Sequence, residues 1–305
     1  MDTTEMAYDR HAAASVFQTK PLYAVATKPN YNQQNTLRKM NMQDLFSIKG
    51  KTALVTGGSR GIGEMIAAGF LANGAKVYIS SRKKDVCDAT AKRLMEQFGG
   101  ECISLPADLS NIEGIDAAVK AYSELEDSLD ILVNNAGVSW GAPLDEFPEI
   151  GWDKVMDTNV KGVFFLTQKL LPYLEKNANP DDRARVINIG SVDGIKTPAF
   201  ETFSYGPSKA AVHHLTRNLA RHLIKRNIIV NAIAPGPFPT WMLSTGVGGG
   251  GDTEIDWSAV ARSNPSGRVG TAEDIAGLAI FLSSRAGSYT VGEVITCDGG
   301  SVASA

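Results

Sequence analysis

A tyrosine and a lysine stand four residues apart in the segment Tyr-Gly-Pro-Ser-Lys, which opens a predicted helix. Residues i and i+4 of a helix share one face, so the Tyr205 phenol and the Lys209 ammonium can point into one cleft. A free phenol, with a pKa of about 10, is a poor acid–base group at neutral pH. A nearby ammonium stabilises the phenolate and is expected to bring the pKa of the phenol toward the working range. The pair therefore predicts proton transfer, although a Tyr-x-x-x-Lys pair taken alone more often consists of surface residues without a catalytic role.

Two further polar residues strengthen this interpretation. Ser191 lies fourteen residues before Tyr205, at the end of a predicted strand, where its hydroxyl can hydrogen-bond a substrate carbonyl oxygen. Asn159 lies in an otherwise apolar helical stretch. Two roles stay open for Asn159: a core amide bonded to the backbone, or a member of a proton relay. The set as a whole predicts chemistry on a carbonyl group.

A glycine-rich turn follows the first predicted strand. Gly57, Gly61 and Gly63 come after the apolar run Ala-Leu-Val at 53–55 and before a helical pattern. A strand, a tight turn and a helix direct free backbone N–H groups and the positive end of the helix dipole at a pyrophosphate. The spacing Gly-x-x-x-Gly-x-Gly is not the commonest dinucleotide fingerprint, and such a turn alone can be only a loop. The second strand, predicted over 76–81, favours the nucleotide site.

The end of that second strand carries basic residues instead of an acid. A site that prefers NAD would place Asp or Glu there to bind the ribose 2′-hydroxyl, whereas this chain has Ser-Ser-Arg-Lys-Lys at 80–84. Arg82 and Arg60, the latter inside the glycine turn, suit the 2′-phosphate of NADP through charge-assisted hydrogen bonds. The alternative is a solvated basic loop. The pattern predicts NADP(H) as cofactor.

Strands and helices alternate from Phe46 to the end of the chain. Further strands are predicted over 102–105, 129–133, 185–189, 228–233 and 293–297, and helices over 86–98, 112–125, 152–174, 205–226 and 272–283. This order predicts an α/β fold: a single doubly wound Rossmann-like domain, with a seven-stranded parallel sheet and helices on both faces. Ligands of such sheets bind beyond the carboxyl ends of the strands, where most of the glycine and polar clusters fall.

Two segments stand apart from this pattern. Residues 1–45 have no sustained period and are interpreted as an N-terminal extension, partly disordered or draped over a neighbour, ahead of a catalytic domain at 46–305. Residues 237–268 are interpreted as a substrate lid, because they are irregular and carry glycines. The apolar lid residues suit a hydrophobic ketone or acyl chain, with ordinary packing as the alternative; they are Trp241, Met242, Leu243 and Trp257.

Composition excludes several classes of function. The net charge of −3, without a basic cluster, argues against nucleic-acid binding, and no apolar run is long enough to span a membrane. Three cysteines without metal-ligand spacing fit reduced thiols and a cytoplasmic location; basic residues in the extension leave a mitochondrial location open, against the acids among them. His213, His214 and His222 are expected on a helix surface or interface, so no metal site is predicted.

Taken jointly, these motifs resemble the short-chain dehydrogenase/reductase superfamily over residues 46–305. The motifs are Thr-Gly-x-x-x-Gly-x-Gly at 56–63, Asp-Leu at 108–109, Asn-Asn-Ala-Gly at 134–137, Asn159, Ser191, Tyr-x-x-x-Lys at 205–209 and Pro-Gly at 235–236. Finer features are similar to NADPH-dependent β-ketoacyl reductases of the rhamnolipid-associated type. These features are Asn-Asn-Ala-Gly-Val-Ser-Trp-Gly at 134–141, Ile-Asn-Ile-Gly-Ser-Val at 187–192 and Tyr-Gly-Pro-Ser-Lys-Ala-Ala at 205–211.

The resemblance implies roles for individual residues. Tyr205 would be the general acid, Lys209 would bind the nicotinamide ribose and lower the pKa of the tyrosine, Ser191 would polarise the carbonyl, and Asn159 would hold a relay water. Cofactor contacts are expected from Gly57, Ser59, Arg60, Gly61, Ile62, Gly63, Arg82, Asp108, Leu109, Asn135, Ala136, Gly137, Tyr205, Lys209, Pro235, Gly236, Phe238 and Thr240. The implied function is NADPH-dependent reduction of a ketone to a secondary alcohol, possible substrates including 3-oxoacyl thioesters.

The resemblance also sets limits on this function. Enoyl reductases of the superfamily place six residues between Tyr and Lys, so the spacing here favours carbonyl reduction over C=C reduction. The segment Pro-Phe-Pro-Thr at 237–240 has one proline more than usual, which leaves the substrate open. A homo-oligomer, tetramer or dimer, is expected because relatives commonly form one. The alternative function is a catalytically silent NADP-binding regulator on the same fold.

Overall fold

The computed structural model describes residues 41–198, 200–246 and 255–304, with the backbone alone given for residues 245 and 246. Residues Met42–Ala305 form one compact unit. Most of the predicted extension (residues 1–40) and part of the predicted lid (residues 247–254) lie outside the described residues. The division of the chain into an extension, a catalytic domain and a lid therefore stays a prediction.

Strands and helices alternate as the sequence predicts, with boundaries that differ by a few residues. The strands are β1 (Thr52–Thr56), β2 (Lys76–Ser80), β3 (Cys102–Ser104), β4 (Ile131–Asn134), β5 (Ala184–Ile189), β6 (Ile228–Pro235) and β7 (Val294–Cys297). The helices are α1 (Met42–Leu45), α2 (Gly61–Ala72), α3 (Lys84–Phe98), α4 (Ile112–Ser123), α5 (Glu149–Met156), α6 (Gly162–Lys176), α7 (Tyr205–Leu223), α8 (Trp241–Gly246), α9 (Trp257–Ser263) and α10 (Ala272–Ser283).

The seven strands form one parallel sheet in the order β3-β2-β1-β4-β5-β6-β7. After β3 the chain returns to the other side of β1, so that β1 and β4 become neighbours. At this reversal of strand order the connections leave in opposite directions and a crevice opens at the carboxyl ends of the strands. The predicted doubly wound Rossmann-like fold is confirmed.

The core lies on both faces of the sheet. Within β1, the side chains of Ala53 and Val55 join one cluster with α2, α3 and α10, whereas Leu54 joins a second cluster with α4, α6 and α7. This alternation follows from the two-residue period of a strand. Strands β4, β5 and β6 are buried along their whole length, as near-continuous apolar runs predict for a parallel sheet covered on both sides.

The helix predicted over 152–174 is interrupted by a π turn. α5 and α6 are continuous in the chain, but residues Asp157–Lys161 between them form π-helical turns that hold one extra residue per turn. Gly162 begins α6 where a Cβ atom would lie 2.6 Å from the carbonyl oxygen of Leu109, so the helix packs closely on the loop after β3. The turn contains Asn159, whose contacts are described below.

Candidate active site

Tyr205 and Lys209 meet at the carboxyl end of β5. The lysine is 5% exposed, and its Nζ lies 5.5 Å from the centre of the Tyr205 ring. The same Nζ donates a hydrogen bond of 2.8 Å to the carbonyl oxygen of Ile189, the last residue of β5. This bond fixes the ammonium group above the sheet edge at which the crevice opens.

Burial shifts the pKa values of the pair in opposite directions. Burial raises the pKa of Tyr205 to about 12, the Asp193 carboxylate adds to the increase, and the neighbouring Ser191 hydroxyl opposes it. Burial lowers the pKa of Lys209 to about 8, although the Asp193 carboxylate raises it in part. The pKa of the tyrosine is therefore raised in this structure, not lowered as the sequence predicts, because burial and Asp193 determine it. The phenol carries its proton at neutral pH, as a proton donor must.

Ser191 lies two residues after the end of β5, on the turn that faces the tyrosine. Its side-chain oxygen accepts a hydrogen bond of 3.1 Å from the Asp193 backbone N–H. A hydroxyl that accepts in this way still has its own proton to donate. Ser191 is 8% exposed, so a group that reaches this hydroxyl is shielded from water, where a hydrogen bond to a developing oxyanion is strongest.

The Asn159 side chain in the π turn is bonded to the backbone. Its Oδ1 accepts from the Val138 N–H at 2.8 Å, and its Nδ2 donates to the Val138 carbonyl at 2.9 Å and to the Ser208 hydroxyl at 3.0 Å. Both amide protons are thus in use. A Cβ at Gly137 would lie 3.3 Å from Asn159 Oδ1 and 3.6 Å from Lys209 Nζ. Asn159 therefore lies beside the lysine and holds the loop after β4, which fits the first of the two roles left open for it.

The glycine turn is joined to the loop after β4 through Thr56 and Asn135. The Thr56 hydroxyl accepts from the backbone N–H groups of Asn135 and Ala136, both at 2.9 Å, and donates to the Val133 carbonyl at 3.1 Å. Asn135 Nδ2 returns a bond of 2.8 Å to the Thr56 carbonyl. A Cβ at Gly57 would lie 2.7 Å from Asn135 Nδ2. The two carboxyl ends that flank the crevice are thereby held in one rigid unit.

The start of α2 has the features of an anion site. Gly61 has a positive φ of 59°, and a Cβ there would lie 3.2 Å from Thr240; a Cβ at Gly63 would collide with the Gly57 carbonyl. Arg60, the N-cap residue, gives no side-chain hydrogen bond to the first turn, whereas α4 is capped by Asn111. The N–H groups of an uncapped first turn, in a cradle without Cβ atoms, suit a pyrophosphate. The residues fit a dinucleotide.

Arg60 and Arg82 stand after adjacent strands. β1 and β2 pair with Thr56 opposite Ser80, and the Gly58 N–H donates to the Ser80 carbonyl at 3.1 Å. Both arginine side chains are exposed. The Arg60 guanidinium stacks on the ring of Trp241, at 4.5 Å from the ring centre. This contact ties the first helix of the predicted lid, α8, to the glycine turn.

The other predicted cofactor residues differ in whether their side chains are exposed or packed in the core. The Phe238 side chain is 2% exposed and packs in the core beneath Gly270, so only its backbone can face a ligand. Leu109 is likewise a core side chain. Asp108 is exposed, and its carboxylate accepts from the Ser110 N–H at 3.0 Å. Ser59 is buried and its carbonyl accepts from Thr90 at 3.1 Å.

The end of β6 forms the far side of the crevice. The Gly236 N–H donates to the Cys297 carbonyl at 3.0 Å, which joins the Pro-Gly segment at 235–236 to β7. The Thr240 hydroxyl accepts from the Leu243 N–H at 3.3 Å at the start of α8. Ile62, in the first turn of α2, is partly buried against the core. These residues surround the same opening as the glycine turn.

One histidine lies where the sequence interpretation did not place it. His213 was expected on a helix surface or interface, but it is 4% exposed, and its Nε2 accepts a hydrogen bond of 3.4 Å from the Ser191 N–H. That expectation is wrong for His213, because α7 directs residues 205, 209 and 213 to one face. The i, i+4, i+8 spacing of residues 205, 209 and 213 is the sequence signal that places His213 on the buried face of α7. His214 is exposed, as expected.

Large apolar side chains lie on the loops after β4 and β5 and on α8. Phe147 and Phe203, from the loops after β4 and β5, make an edge-to-face contact with ring centres 5.9 Å apart. Large apolar side chains that are exposed on the loop after β5 and on α8 are Ile195 at 46%, Phe200 at 44%, Trp241 at 60% and Met242 at 37%. Apolar side chains on both connecting loops and on α8 are suited to an apolar ligand.

Metal ligation and membrane insertion need features that the described part of the chain lacks. Within it, there is no group of three or more His, Cys, Asp or Glu side chains that could hold a metal ion. Its helices include none with the length and apolar character needed to cross a membrane. The three cysteines, Cys87, Cys102 and Cys297, are free thiols.

Comparison with known proteins places these features in a family. A family model described as enoyl-(acyl carrier protein) reductase matches residues 57–302. The chain is 49% identical over 259 residues to a rhamnolipids biosynthesis 3-oxoacyl-acyl-carrier-protein reductase of Pseudomonas aeruginosa, covering 85% of this chain and 99% of that protein. The Pseudomonas aeruginosa RhlG/NADP active-site complex is similar with a TM-score of 0.79 and 48% identity, covering 86% of this chain and 99% of that one.

A gluconate 5-dehydrogenase from Burkholderia cenocepacia, solved in complex with NADP and tartrate, is also similar. Its TM-score is 0.77 at 30% identity, over 87% of this chain and 100% of that chain. The matched region contains the glycine turn, Ser191 and the Tyr205–Lys209 pair, and it covers most of the sequence. On this evidence the chain belongs to the short-chain dehydrogenase/reductase superfamily.

Proposed function

We propose that this chain is an NADPH-dependent ketoreductase, which reduces a ketone to a secondary alcohol and can run in reverse. The observation that carries the proposal is the position of Tyr205, Lys209 and Ser191 at the carboxyl end of β5, separated only by β4 from the glycine turn after β1. A proton donor and a dinucleotide cradle thereby open into the same crevice.

The residues of the chain suit the proton side of this reaction. When bound, the reduced cofactor supplies a hydride to the carbonyl carbon. Ser191 donates its hydroxyl hydrogen to the carbonyl oxygen and so fixes and polarises the carbonyl. Tyr205 transfers its phenolic proton to that oxygen as negative charge develops there, so that the C=O bond becomes CH–OH. The positive charge of Lys209, whose Nζ lies 5.5 Å from the centre of the Tyr205 ring, stabilises the resulting phenolate, which regains its proton from solvent.

Carbonyl reduction is favoured over reduction of a C=C bond, although the matching family model is described as an enoyl reductase. The proton donor and the lysine lie on consecutive turns of α7, and Ser191 supplies a hydrogen bond suited to a carbonyl oxygen. Relatives described as a 3-oxoacyl reductase and a gluconate 5-dehydrogenase act, by their names, on ketone and alcohol groups. An assay with a 2-enoyl thioester distinguishes reduction of a C=C bond from reduction of a carbonyl.

We infer NADP(H) as cofactor from the basic residues at the ends of β1 and β2. Arg60 and Arg82 take the place of the acid that would bind a ribose 2′-hydroxyl. The similar structures include complexes with NADP. As substrate class we favour a 3-oxoacyl thioester, because large apolar side chains are exposed on the connecting loops and on α8, and because a relative is described as a 3-oxoacyl reductase.

The test of the proposed function is NADPH oxidation, followed by the loss of absorbance of the reduced nicotinamide, with a panel of carbonyl compounds. The panel contains an acetoacetyl thioester, a longer 3-oxoacyl thioester, 5-ketogluconate and a 2-enoyl thioester, with NADH as the control cofactor. We expect turnover with the 3-oxoacyl thioesters and none with the enoyl thioester. Turnover of the enoyl thioester alone would reject the carbonyl assignment.

The rate of ketone reduction is expected to fall as the pH rises through about 8. Lys209, whose pKa burial lowers to about 8, is positively charged below that pH and stabilises the Tyr205 phenolate; above that pH this charge is lost. The pH profile of kcat for the reduction measures this. Lys209→Arg, whose side chain keeps its charge, should move the alkaline limb to higher pH. An unchanged profile in this variant contradicts the assignment of the limb to Lys209.

Gly63→Ala is expected to weaken NADPH binding by about tenfold or more, since forcing a methyl group into a packed site costs about 1–3 kcal/mol. The new Cβ would collide with the Gly57 carbonyl and with Asn135 Nδ2, both of which shape the cradle. Titration calorimetry measures the dissociation constant. Gly277→Ala in α10 is the matched control, because a Cβ there meets nothing within 4 Å. Equal affinities of the two variants would show that the cradle does not bind the cofactor.

We also infer a cytoplasmic protein that forms a homo-oligomer, a tetramer or dimer. Large apolar side chains of α5 and the segment before it are exposed in the single chain, with Leu144 at 67%, Ile150 at 70% and Trp152 at 42%. An exposed apolar patch of this kind is typical of a surface that a second copy covers. Light scattering of the purified chain distinguishes the monomer from these assemblies.

A further inference from the structure

His213 lies against the turn that carries Ser191. The imidazole, one helical turn after Lys209 on α7, is 4% exposed. Two glycines leave room for it: a Cβ at Gly190 would collide with its Nε2, and a Cβ at Gly194 would lie 2.8 Å from its Cε1. The ring therefore spans the whole turn, from the residue before Ser191 to the third residue after it.

The Ser191 N–H is at the point where β5 leaves the sheet. Beyond β5, the Gly190 N–H still donates a backbone hydrogen bond of 2.7 Å to the Ile233 carbonyl of β6. The next N–H, that of Ser191, donates to His213 Nε2 at 3.4 Å. A buried backbone N–H without an acceptor is costly. The imidazole thus supplies the acceptor that a strand partner would otherwise supply.

We propose that His213 is a positioning residue for the reaction: its neutral imidazole accepts the Ser191 N–H and so fixes the turn that directs the Ser191 hydroxyl at the substrate carbonyl. This inference rests on the proposed function. Placement matters here because a misplacement of about 1 Å in a reacting group can cost about a hundredfold in rate. The Tyr205 phenol faces the same hydroxyl, so a shift of the turn would disturb both groups.

The surroundings keep the imidazole in the form that accepts. Burial lowers the pKa of His213 to about 4, and the positive charges of Lys209 and Arg217, both on α7, act in the same direction, against the Gly194 backbone. The carboxylate on the facing turn, Asp193, raises the pKa of Tyr205 and the pKa of Lys209. β6 faces Gly190 with the Ile233 carbonyl, which is uncharged. An imidazole whose Nε2 accepts must carry its proton on Nδ1.

The first arm of the test compares two amides that differ in reach. His213→Gln keeps an acceptor long enough to meet the Ser191 N–H, whereas His213→Asn is one methylene shorter. We expect His213→Asn to lower kcat about 10- to 100-fold, as for a misplaced reacting group, with the KM for NADPH nearly unchanged, and His213→Gln to restore most of the loss. His214→Asn, at the exposed neighbour, is the matched control. A wild-type kcat in His213→Asn, or equal losses in both amide variants, overturns the proposal.

The second arm does not depend on turnover. The chain has four histidines, so the ring nitrogens of protein labelled with ¹⁵N-histidine give few signals, and the one lost in His213→Gln belongs to His213. We expect the Nδ1–H tautomer without titration from about pH 5 to about pH 8, the range in which an ordinary histidine changes charge. Titration near pH 6.5 or a proton on Nε2 overturns the inference. A wild-type chain that reduces no ketone would instead reject the proposed function.

Discussion

Tyr205→Phe is expected to lower kcat for ketone reduction by about a hundredfold to ten-thousandfold, the contribution typical of a general acid. The substitution removes one oxygen from a ring that contacts Lys209 Nζ through its face, at 5.5 Å from the ring centre. The shape of the crevice and the glycine cradle are unchanged, so the dissociation constant for NADPH should stay within about twofold. Steady-state kinetics and titration calorimetry measure the two quantities separately.

Tyr289→Phe is the control for this prediction. Tyr289 is 99% exposed, so the same loss of a hydroxyl there should leave kcat unaltered. If Tyr205→Phe keeps most of its rate, the tyrosine is not the proton donor. A wild-type chain that binds NADPH but reduces no member of the carbonyl panel would favour a silent NADP-binding regulator, the alternative function.

Arg82→Asp is expected to reverse the preference for NADPH over NADH. Loss of a charge-assisted hydrogen bond costs about 1.5–3 kcal/mol, which raises the KM for NADPH by about 10- to 100-fold. The new carboxylate is placed to accept from a ribose 2′-hydroxyl, as acids do at the end of the second strand in sites for NAD. The ratio of kcat/KM for the two cofactors is the quantity to measure.

A reversal of charge at a distant surface position separates this effect from a general change in electrostatics. Arg221→Asp, at an exposed position in the last turn of α7, changes the net charge by the same amount. We expect the cofactor ratio of this control to match that of the unmodified chain. An Arg82→Asp variant whose ratio also matches would show that the basic residues after β2 form only a solvated loop.

The sequence predicts most of the fold because its signals are local. Apolar runs that end in glycine or polar residues mark the strands and their carboxyl ends. The helix predicted over 272–283 has the same bounds in the structure, and Thr271 and Asp274 form a capping box at its N-terminus. The order of the sheet follows from alternation of strands and helices together with the glycine turn. Membership of the superfamily, predicted from the motifs, is confirmed.

What the sequence does not predict depends on contacts between distant segments. The burial of His213 requires Gly190 and Gly194 to leave a gap of the width of an imidazole, and neither glycine is unusual in its own segment. The π turn at Asn159 forms where the side-chain amide pairs with Val138, twenty-one residues earlier. The raised pKa of Tyr205 reflects burial and the neighbouring Asp193 carboxylate, against the Ser191 hydroxyl, and residue spacing does not contain this information.

The hydrogen bonds that join Thr56 to Asn135 and Ala136 connect positions 79 and 80 residues apart in the chain. During synthesis, a nascent polypeptide that has just completed the glycine turn cannot yet hold its geometry. The turn becomes fixed only when the segment at Asn135 has left the ribosome, and Lys209 reaches its acceptor on Ile189 later still. A chain that ends before Asn135 therefore lacks the contacts that hold the glycine turn.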